Sequence, residues 1–357
     1  MVLNGFRQLS AEFFADLLSR RHQRTVRVRG ATVTDRPAGD LKQVDLETSI
    51  GPVRLLAKSL GQRRKREALV WRFLVAAGHM PIPEVYHVEF DEKLGRYGVI
   101  LDLPAAEAPG SPWDRPRRRA VGSALARLHA PFWGKADELP ETFAPPKTPP
   151  EATVEPAARR FLDHMPARQQ GLLHTAVPEV FAFLVKLLRM PPAFFAEPDA
   201  PPKTLVHGAL RREAVLFGSR AGHPEPVLVD WEHARAGRCT EDLAALTNSL
   251  SADERAAGRE DLLSAYVDAL ALAGVAAQPE LLHDETDRQR VLLAGRELPR
   301  LCKLYAKRDH AGDDPSWCES FVAAARADAA ELKGLLDRFR LEEPPIPEET
   351  ERSWQSR

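Results

Sequence analysis

A chain of 357 residues is longer than one average domain and long enough to bury a sizeable core. Its 50 basic and 51 acidic residues leave a formal net charge of −1, so no overall field draws it to nucleic acid or to an anionic membrane. The three cysteines form no CxxC pair, which favours reduced thiols. With no signal-peptide pattern and no apolar run long enough to cross a bilayer, we expect a cytoplasmic protein, and the abundant Pro, Ala and Arg are typical of a GC-rich bacterial gene.

The first hundred residues predict a helix followed by a small β-rich region. Ser10 stands before an apolar-faced run and predicts a helix from Ser10 to Arg20. Apolar runs with tight turns between them then predict three strands, over residues 26–33, 41–50 and 53–57. The third strand ends in Lys58, and an Arg- and Lys-rich helix carrying Glu67 follows it. After a proline-punctuated connection, residues 97–103 predict one more strand.

Beyond Pro104 the composition shifts to Ala, Arg, Leu and Pro, which indicates a mostly helical region. Helices are predicted over residues 117–130, 157–164 and 178–188. Prolines punctuate residues 139–156 and 191–202, where we expect extended loops. Further helices are predicted over residues 260–272, 288–307 and 317–338, and the charged tail from residue 342 on is expected to be disordered.

A predicted β-hairpin inside the helical region carries the most informative residues. An apolar lead-in ends at His207-Gly208, and after a polar loop two short β-rich runs flank a Gly/Pro turn. The second run delivers Asp230. A His-Gly loop beside an aspartate is typical of phosphoryl transfer, in which one group orients the attacking hydroxyl and one carboxylate holds the metal.

This hairpin resembles the catalytic loop and metal-binding hairpin of the aminoglycoside phosphotransferase superfamily, and most of all its choline-kinase-like and ecdysteroid-kinase-like branches. His207 and Gly208 match the family's pattern, and Asp230 matches its metal-binding aspartate. The family's catalytic aspartate falls on Ala209, and its metal-binding asparagine falls on Ala214. Two of the three catalytic polar side chains are therefore methyl groups.

The resemblance implies an α+β fold, the protein-kinase-like two-lobed fold. A small β-rich lobe would span residues 1–103, a large helical lobe would span residues 104–340, and residues 341–357 would be a disordered tail. In that arrangement Lys58 binds the nucleotide phosphates, and Glu67 forms an ion pair that positions Lys58. The backbone N–H and C=O groups of Leu101 and Leu103 would form hydrogen bonds with the edge of the adenine ring. ATP and Mg²⁺ are thus the implied cofactors, with Asp230 as the metal ligand.

Two further positions take roles from the resemblance alone. The turn over residues 36–40 sits where the family's phosphate-covering loop lies, although it has one glycine and lacks the GxGxxG form. Asp242 matches the aspartate that braces the His-Gly loop through its backbone. An aspartate also suits the first turn of any helix, so the sequence leaves both interpretations open.

Two functions fit these residues. The first is a pseudokinase, which binds nucleotide, has impaired phosphoryl transfer and leaves room for a protein partner. The alternative is an active ATP-dependent kinase for a small-molecule hydroxyl, such as an aminoglycoside or a choline-like acceptor. There His207, Asp230 and Glu213 would be the catalytic candidates, because Glu213 lies one residue before the asparagine slot and could serve the metal with Asp230. Neither function involves nucleic acid or a membrane.

Overall fold

The computed structural model describes residues 9–35, 41–61, 64–78, 80–102, 112–196, 201–220, 223–307 and 315–339. The turn over residues 36–40, Leu103 and the tail over residues 341–357 lie outside this part of the chain. The chain divides into two compact units. Unit 1 comprises Met1–Pro146 and Asp199–Thr286, and unit 2 comprises Lys147–Pro198 and Asp287–Arg357.

The regular elements are numbered in chain order. The strands are β1 (Val28–Asp35), β2 (Leu41–Thr48), β3 (Gly51–Ser59), β4 (Glu84–Asp91), β5 (Arg96–Asp102), β6 (Lys203–Val206), β7 (Val215–Arg220), β8 (His223–Leu228) and β9 (Arg235–Arg238). The α-helices are α1 (Ala11–His22), α2 (Lys65–Ala77), α3 (Arg115–His129), α4 (Val154–His164), α5 (Ala167–Ala176), α6 (Pro178–Leu187), α7 (Cys239–Ser249), α8 (Ala252–Leu272), α9 (Pro279–Lys307) and α10 (Pro315–Phe339). No helix in the described residues has the length and apolar character that crossing a membrane requires.

A five-stranded antiparallel sheet, in the order β1-β2-β3-β5-β4, forms the N-terminal part of unit 1. Helix α1 begins where the sequence predicts, because the Ser10 side chain accepts a hydrogen bond from the amide of Phe13 at 3.1 Å. Its buried face packs with Leu55 and Ala57 of β3. Side chains alternate between the two faces of a strand, so Lys58 points to the opposite face from Ala57.

The rest of unit 1 is a helical region that contains two small β pairs. Strand β6 pairs with β9, and β7 with β8 forms the predicted hairpin. Helix α3 packs against α8, and Gly122 allows their close approach: a Cβ there would lie 2.2 Å from the carbonyl oxygen of Leu262. The larger apolar core joins Trp71 of α2 to Leu125 of α3 and to Trp231 beyond the hairpin.

Unit 2 is helical in its described residues. Helices α4 and α6 share an apolar core with α10 and the part of α9 from residue 287 on, centred on Phe161, Phe183 and Leu332. The prediction of an extended loop over residues 139–156 was wrong in part, because 3₁₀ helices form at Glu141–Phe143 and Glu151–Thr153 and α4 already begins at Val154. Proline is tolerated in the first turn of a helix, where its missing N–H has no intrahelical partner to lose.

Candidate active site

Lys58 is the centre of the site, and it contacts two carboxylates. Its Nζ lies 2.8 Å from Oε1 of Glu67 and 3.1 Å from Oδ1 of Asp230. The side chains of Lys58 and Glu67 are 9% and 0% exposed, whereas that of Asp230 is 64% exposed. Burial by itself would lower the pKa of Lys58, but the two carboxylates more than offset it, and the pKa is raised. The ammonium therefore stays charged at neutral pH.

The backbone of Val229 fixes where Asp230 lies. Nε2 of His207 donates to the Val229 carbonyl at 2.7 Å, and the Val229 amide donates to the carbonyl of Ala214 at 2.9 Å. Both ends of the loop 207–214 are thus hydrogen-bonded to one residue. Asp230 itself has φ 63° and ψ 53°, a left-handed conformation that few residues other than glycine adopt. Such a conformation persists where the surrounding contacts determine it.

Asp242 forms hydrogen bonds with the backbone at the start of that loop. Its carboxylate accepts from the amides of His207, at 2.6 Å, and Gly208, at 2.9 Å. Nε2 of His129 lies 3.3 Å from the same carboxylate, and Nδ1 of His129 lies 2.9 Å from the hydroxyl of Tyr266. Burial alone would raise the pKa of Asp242, but these partners lower it below its ordinary value. The expected bracing of the His-Gly loop by Asp242 is therefore confirmed.

The glycine at position 208 is required by its surroundings. Its φ is +81°, and a Cβ at this position would lie 2.2 Å from the carbonyl oxygen of His233. A real Cβ does not approach an oxygen so closely, so any side chain would displace one of the two backbones. Gly208 therefore brings the loop against the segment that follows Asp230.

His207 is a buried residue of the loop. A carbonyl can only accept, so its ring must carry the proton on Nε2, and Nδ1 is buried with no hydrogen-bond partner among the described residues. Burial lowers the pKa of His207 and keeps the ring neutral. Its contact with Val229 determines the position of the loop, while the catalytic role taken from the resemblance stays a prediction.

The two alanines leave the loop with few metal ligands. Ala214 is buried and offers only its carbonyl, and Ala209 is half-buried. Glu213 is exposed in a short 3₁₀ turn, Arg212–Ala214, and has no hydrogen bond or ion pair within the described chain. Among the described residues no three His, Cys, Asp or Glu side chains form a cluster that could hold a metal ion. Mg²⁺ usually takes one or two carboxylates plus substrate phosphates, and Asp230 with a bound nucleotide would fit that pattern.

Leu101 lies inside the sheet rather than at its edge. It pairs with Leu56 of β3 on one side and with Val85 of β4 on the other, and its side chain is buried. Leu103 belongs to the part of the chain that the structure leaves undescribed. The adenine contact proposed for these two residues stays a prediction.

Arg66 makes contacts that the sequence interpretation missed. From α2 its guanidinium donates to the carbonyls of Thr142 at 2.9 Å, Glu232 at 2.6 Å and Ala234. The residue stands in a run of four basic residues, and nothing in that run distinguishes a carbonyl-binding arginine from a solvated one. Arg66 thus joins the helix that carries Glu67 to the segment that follows Asp230.

Comparison with known proteins identifies the family of this chain. Residues 53–277, more than half of the chain, match the model of the phosphotransferase enzyme family, APH. The chain therefore belongs to this family, and the resemblance to the aminoglycoside phosphotransferase superfamily is confirmed. No curated protein gives a significant match.

Solved structures similar to this chain share its fold at low sequence identity. Spectinomycin phosphotransferase APH(9)-Ia, in complex with ADP and spectinomycin, is 10% identical with a TM-score of 0.58, covering 92% of this chain and 100% of that one. A microcompartment-associated aminopropanol kinase is 13% identical with a TM-score of 0.53, covering 91% and 98%. A choline/ethanolamine kinase family protein from Mesorhizobium loti is 19% identical with a TM-score of 0.50, covering 88% and 93%. The expected α+β, protein-kinase-like fold is confirmed, with its β-rich N-terminal sheet followed by a helical region.

Proposed function

We propose that this protein is a pseudokinase: a kinase-fold protein that binds ATP with Mg²⁺ and has impaired phosphoryl transfer. The observation that carries the proposal is the charged Lys58 in contact with both Glu67 and Asp230, beside a loop with alanine at position 209. In this proposal Lys58, Glu67 and Asp230 would hold the nucleotide. The group suited to orient an acceptor hydroxyl is a methyl.

Two observations support nucleotide binding: the charges of Lys58 and Asp230, and the similarity to a protein that was solved with ADP. Lys58 would contact the phosphates, and the exposed carboxylate of Asp230 would hold Mg²⁺, which neutralises phosphate charge. The similar spectinomycin phosphotransferase was solved with ADP. ATP is a cytoplasmic ligand, so the proposal also places the protein in the cytoplasm.

Impaired transfer follows from the missing carboxylate. A positioned acid or base typically contributes about 10²- to 10⁴-fold to a rate, and Ala209 cannot accept a proton. The remaining catalytic power would come from positioning and charge stabilisation, which are large parts of phosphoryl transfer. We therefore expect tight nucleotide binding with slow or no turnover, and a protein partner through which such a pseudokinase would act.

The alternative is an active small-molecule kinase in which Glu213 and Asp230 share the metal. It is favoured by one observation: Glu213 is exposed and, within the described chain, takes part in no ion pair. The names of the similar structures give spectinomycin and aminopropanol, and these two compounds are the first acceptors to try.

The first test is a titration with ATP, with and without Mg²⁺, followed by calorimetry and thermal shift. At about one hundred times its dissociation constant, a ligand stabilises the native state by roughly 2.7 kcal/mol, which is easily detected. Asp230→Asn should remove the Mg²⁺ dependence. Asp268→Asn is the matched control, because Asp268 is a similarly exposed aspartate at 62%. Absence of ATP binding in the unaltered protein would sink the proposal.

The second test separates the two functions. The double variant Ala209→Asp with Ala214→Asn should gain ATP hydrolysis of at least 10²-fold over the unaltered protein, because it restores a base and a metal ligand. The pseudokinase proposal fails if the unaltered protein phosphorylates an amino alcohol at an ordinary enzymatic rate. In that case Glu213→Gln should abolish the activity, as the alternative requires.

A further inference from the structure

A concave surface lies at the opposite end of α2 from Glu67. We call it the α2 groove: Phe73, Met80 and Phe132 line it, and most of the remaining lining residues are alanines. Its volume is about 670 Å³, which is within the range of roughly 300–1,000 Å³ that small-molecule sites occupy. The groove is built entirely from unit 1, by the C-terminal ends of α2, α3 and α8 and the residues next to them.

The lining of the groove is apolar except at one point. Arg127, in the last turn of α3, is the single charged residue among its lining residues. It is exposed, and within the described residues its guanidinium makes no hydrogen bond or ion pair. Next to lining residues in the sequence, Val75 is 46% exposed and Leu272 is 91% exposed. The groove therefore combines an apolar lining with one exposed positive charge.

We propose that the α2 groove binds a fatty-acid-type ligand, an aliphatic chain that ends in a carboxylate. The chain would lie against Phe73, Met80 and Phe132, and the carboxylate would pair with Arg127, whose planar fork matches a carboxylate. This complementarity of charge and apolar surface selects an anionic amphiphile over a cationic or neutral one. The proposal does not depend on nucleotide binding, since Lys58, Glu67 and Asp230 are not among the residues that line the groove.

The test is calorimetry with hexanoate, octanoate and decanoate below their micellar concentrations. Burial of a methylene contributes about 0.8 kcal/mol, so each step of two carbons should raise the affinity about 15-fold. An affinity that does not change with chain length would overturn the proposal. So would equal affinity for decanoate and for decyltrimethylammonium, because Arg127 should repel the cation.

Variants locate the ligand. Arg127→Gln should weaken decanoate about tenfold or more and leave decanol unchanged, because only the charged head loses its partner. Arg160→Gln is the matched control: Arg160 is an exposed arginine on α4 that, among the described residues, has no ion pair either. Ala76→Trp should abolish binding of both ligands by filling the groove, and an unchanged melting temperature would show that the variant is folded.

The competing occupant of such a groove is a second copy of the chain. If decanoate fails to bind while the protein dimerises with increasing concentration, and Ala76→Glu makes it monomeric, the groove is a homodimer surface and the proposal is wrong. If Arg127→Gln binds decanoate as tightly as the unaltered protein does, the charge argument is wrong as well.

Discussion

At the scale of single residues, the site depends on side chains that determine backbone positions. Lys58 faces the site because it is one position removed from Ala57, whose side chain packs against α1. The family resemblance was sufficient to predict the pairing of Lys58 with Glu67, which lies nine residues away. The contacts of His207 with Val229 and of His129 with Tyr266 were beyond prediction, since they join residues 22 and 137 positions apart and no local pattern reports them.

Gly208→Ala should destabilise the protein more than an ordinary glycine substitution. A left-handed residue with a Cβ costs about 1–2 kcal/mol, and the approach to the His233 carbonyl adds an overpacking penalty of about 1–3 kcal/mol. Gly134 is the matched control, because its φ is +69° and a Cβ there would meet nothing within 4 Å. The free energies of unfolding of Gly208→Ala and Gly134→Ala, measured in urea, should differ by the overpacking penalty of about 1–3 kcal/mol. Equal free energies of unfolding would show that the loop moves aside without strain.

The lowered pKa of His207 predicts a pH dependence of stability. Because its folded-state pKa lies below the ordinary value of about 6.5, the unfolded chain takes up the proton first as pH falls. The stability associated with neutral His207 is therefore complete above about pH 6.5 and declines below it. His207→Gln, which keeps a donor toward Val229, should lessen the loss in the free energy of unfolding between pH 7.5 and pH 5.5.

The control for this prediction is His223→Gln, since His223 is exposed at the start of β8. That variant should keep the pH dependence of the unaltered protein. If His207→Gln keeps it too, protonation of His207 does not limit stability in this range.

At the scale of elements, the sequence predicted those with strong patterns and missed those without. The hairpin of β7 and β8 was predicted because turn residues separate two apolar runs. Strand β4 was interpreted as part of a connection because prolines precede it, although Tyr86, Val88 and Phe90 alternate with polar residues in a pattern that predicts a strand. Helix α5 was missed as well, and its amphipathic pattern is weak. The sequence motif predicted the candidate site. The contacts of Arg66, which also lies on α2, were not predicted.

Arg66 should couple α2 to the segment after Asp230. Arg66→Met keeps the aliphatic stem but leaves three carbonyls without their donor, so the free energy of unfolding should fall by about 1–3 kcal/mol. Because Glu67 and Asp230 share Lys58, the affinity for ATP should fall as well, while the affinity for adenosine should change less. Calorimetry with both ligands measures this.

The control is Arg72→Met on the same helix, where the guanidinium lies over the ring of Phe90 at 5.1 Å. It should leave the ATP affinity unchanged. If Arg66→Met loses stability but binds ATP as before, Arg66 holds the helix in place without positioning the site.

At the scale of the whole molecule, the family match covers residues 53–277, although the resemblance was recognised from a short motif. Structures only 10–19% identical to this chain share its fold over most of their length, so few identical positions are needed for this fold. The motif therefore predicted the fold, while the acceptor, which the rest of the chain determines, could not be predicted. The lobe boundary at residue 103 stays a prediction. Each of the two compact units is made of two separate segments of the chain.

The pairing of Lys58 with Asp230, 172 residues further along the chain, has a consequence for synthesis. At about 5–20 residues per second, a ribosome needs roughly 9–34 s to make the chain between them. The N-terminal sheet and α2 emerge first, and Trp71 and its apolar neighbours wait for the partners that Trp231 and the hairpin bring. That interval is when the nascent protein is most exposed to aggregation, and a chaperone that holds apolar surface would act on it then.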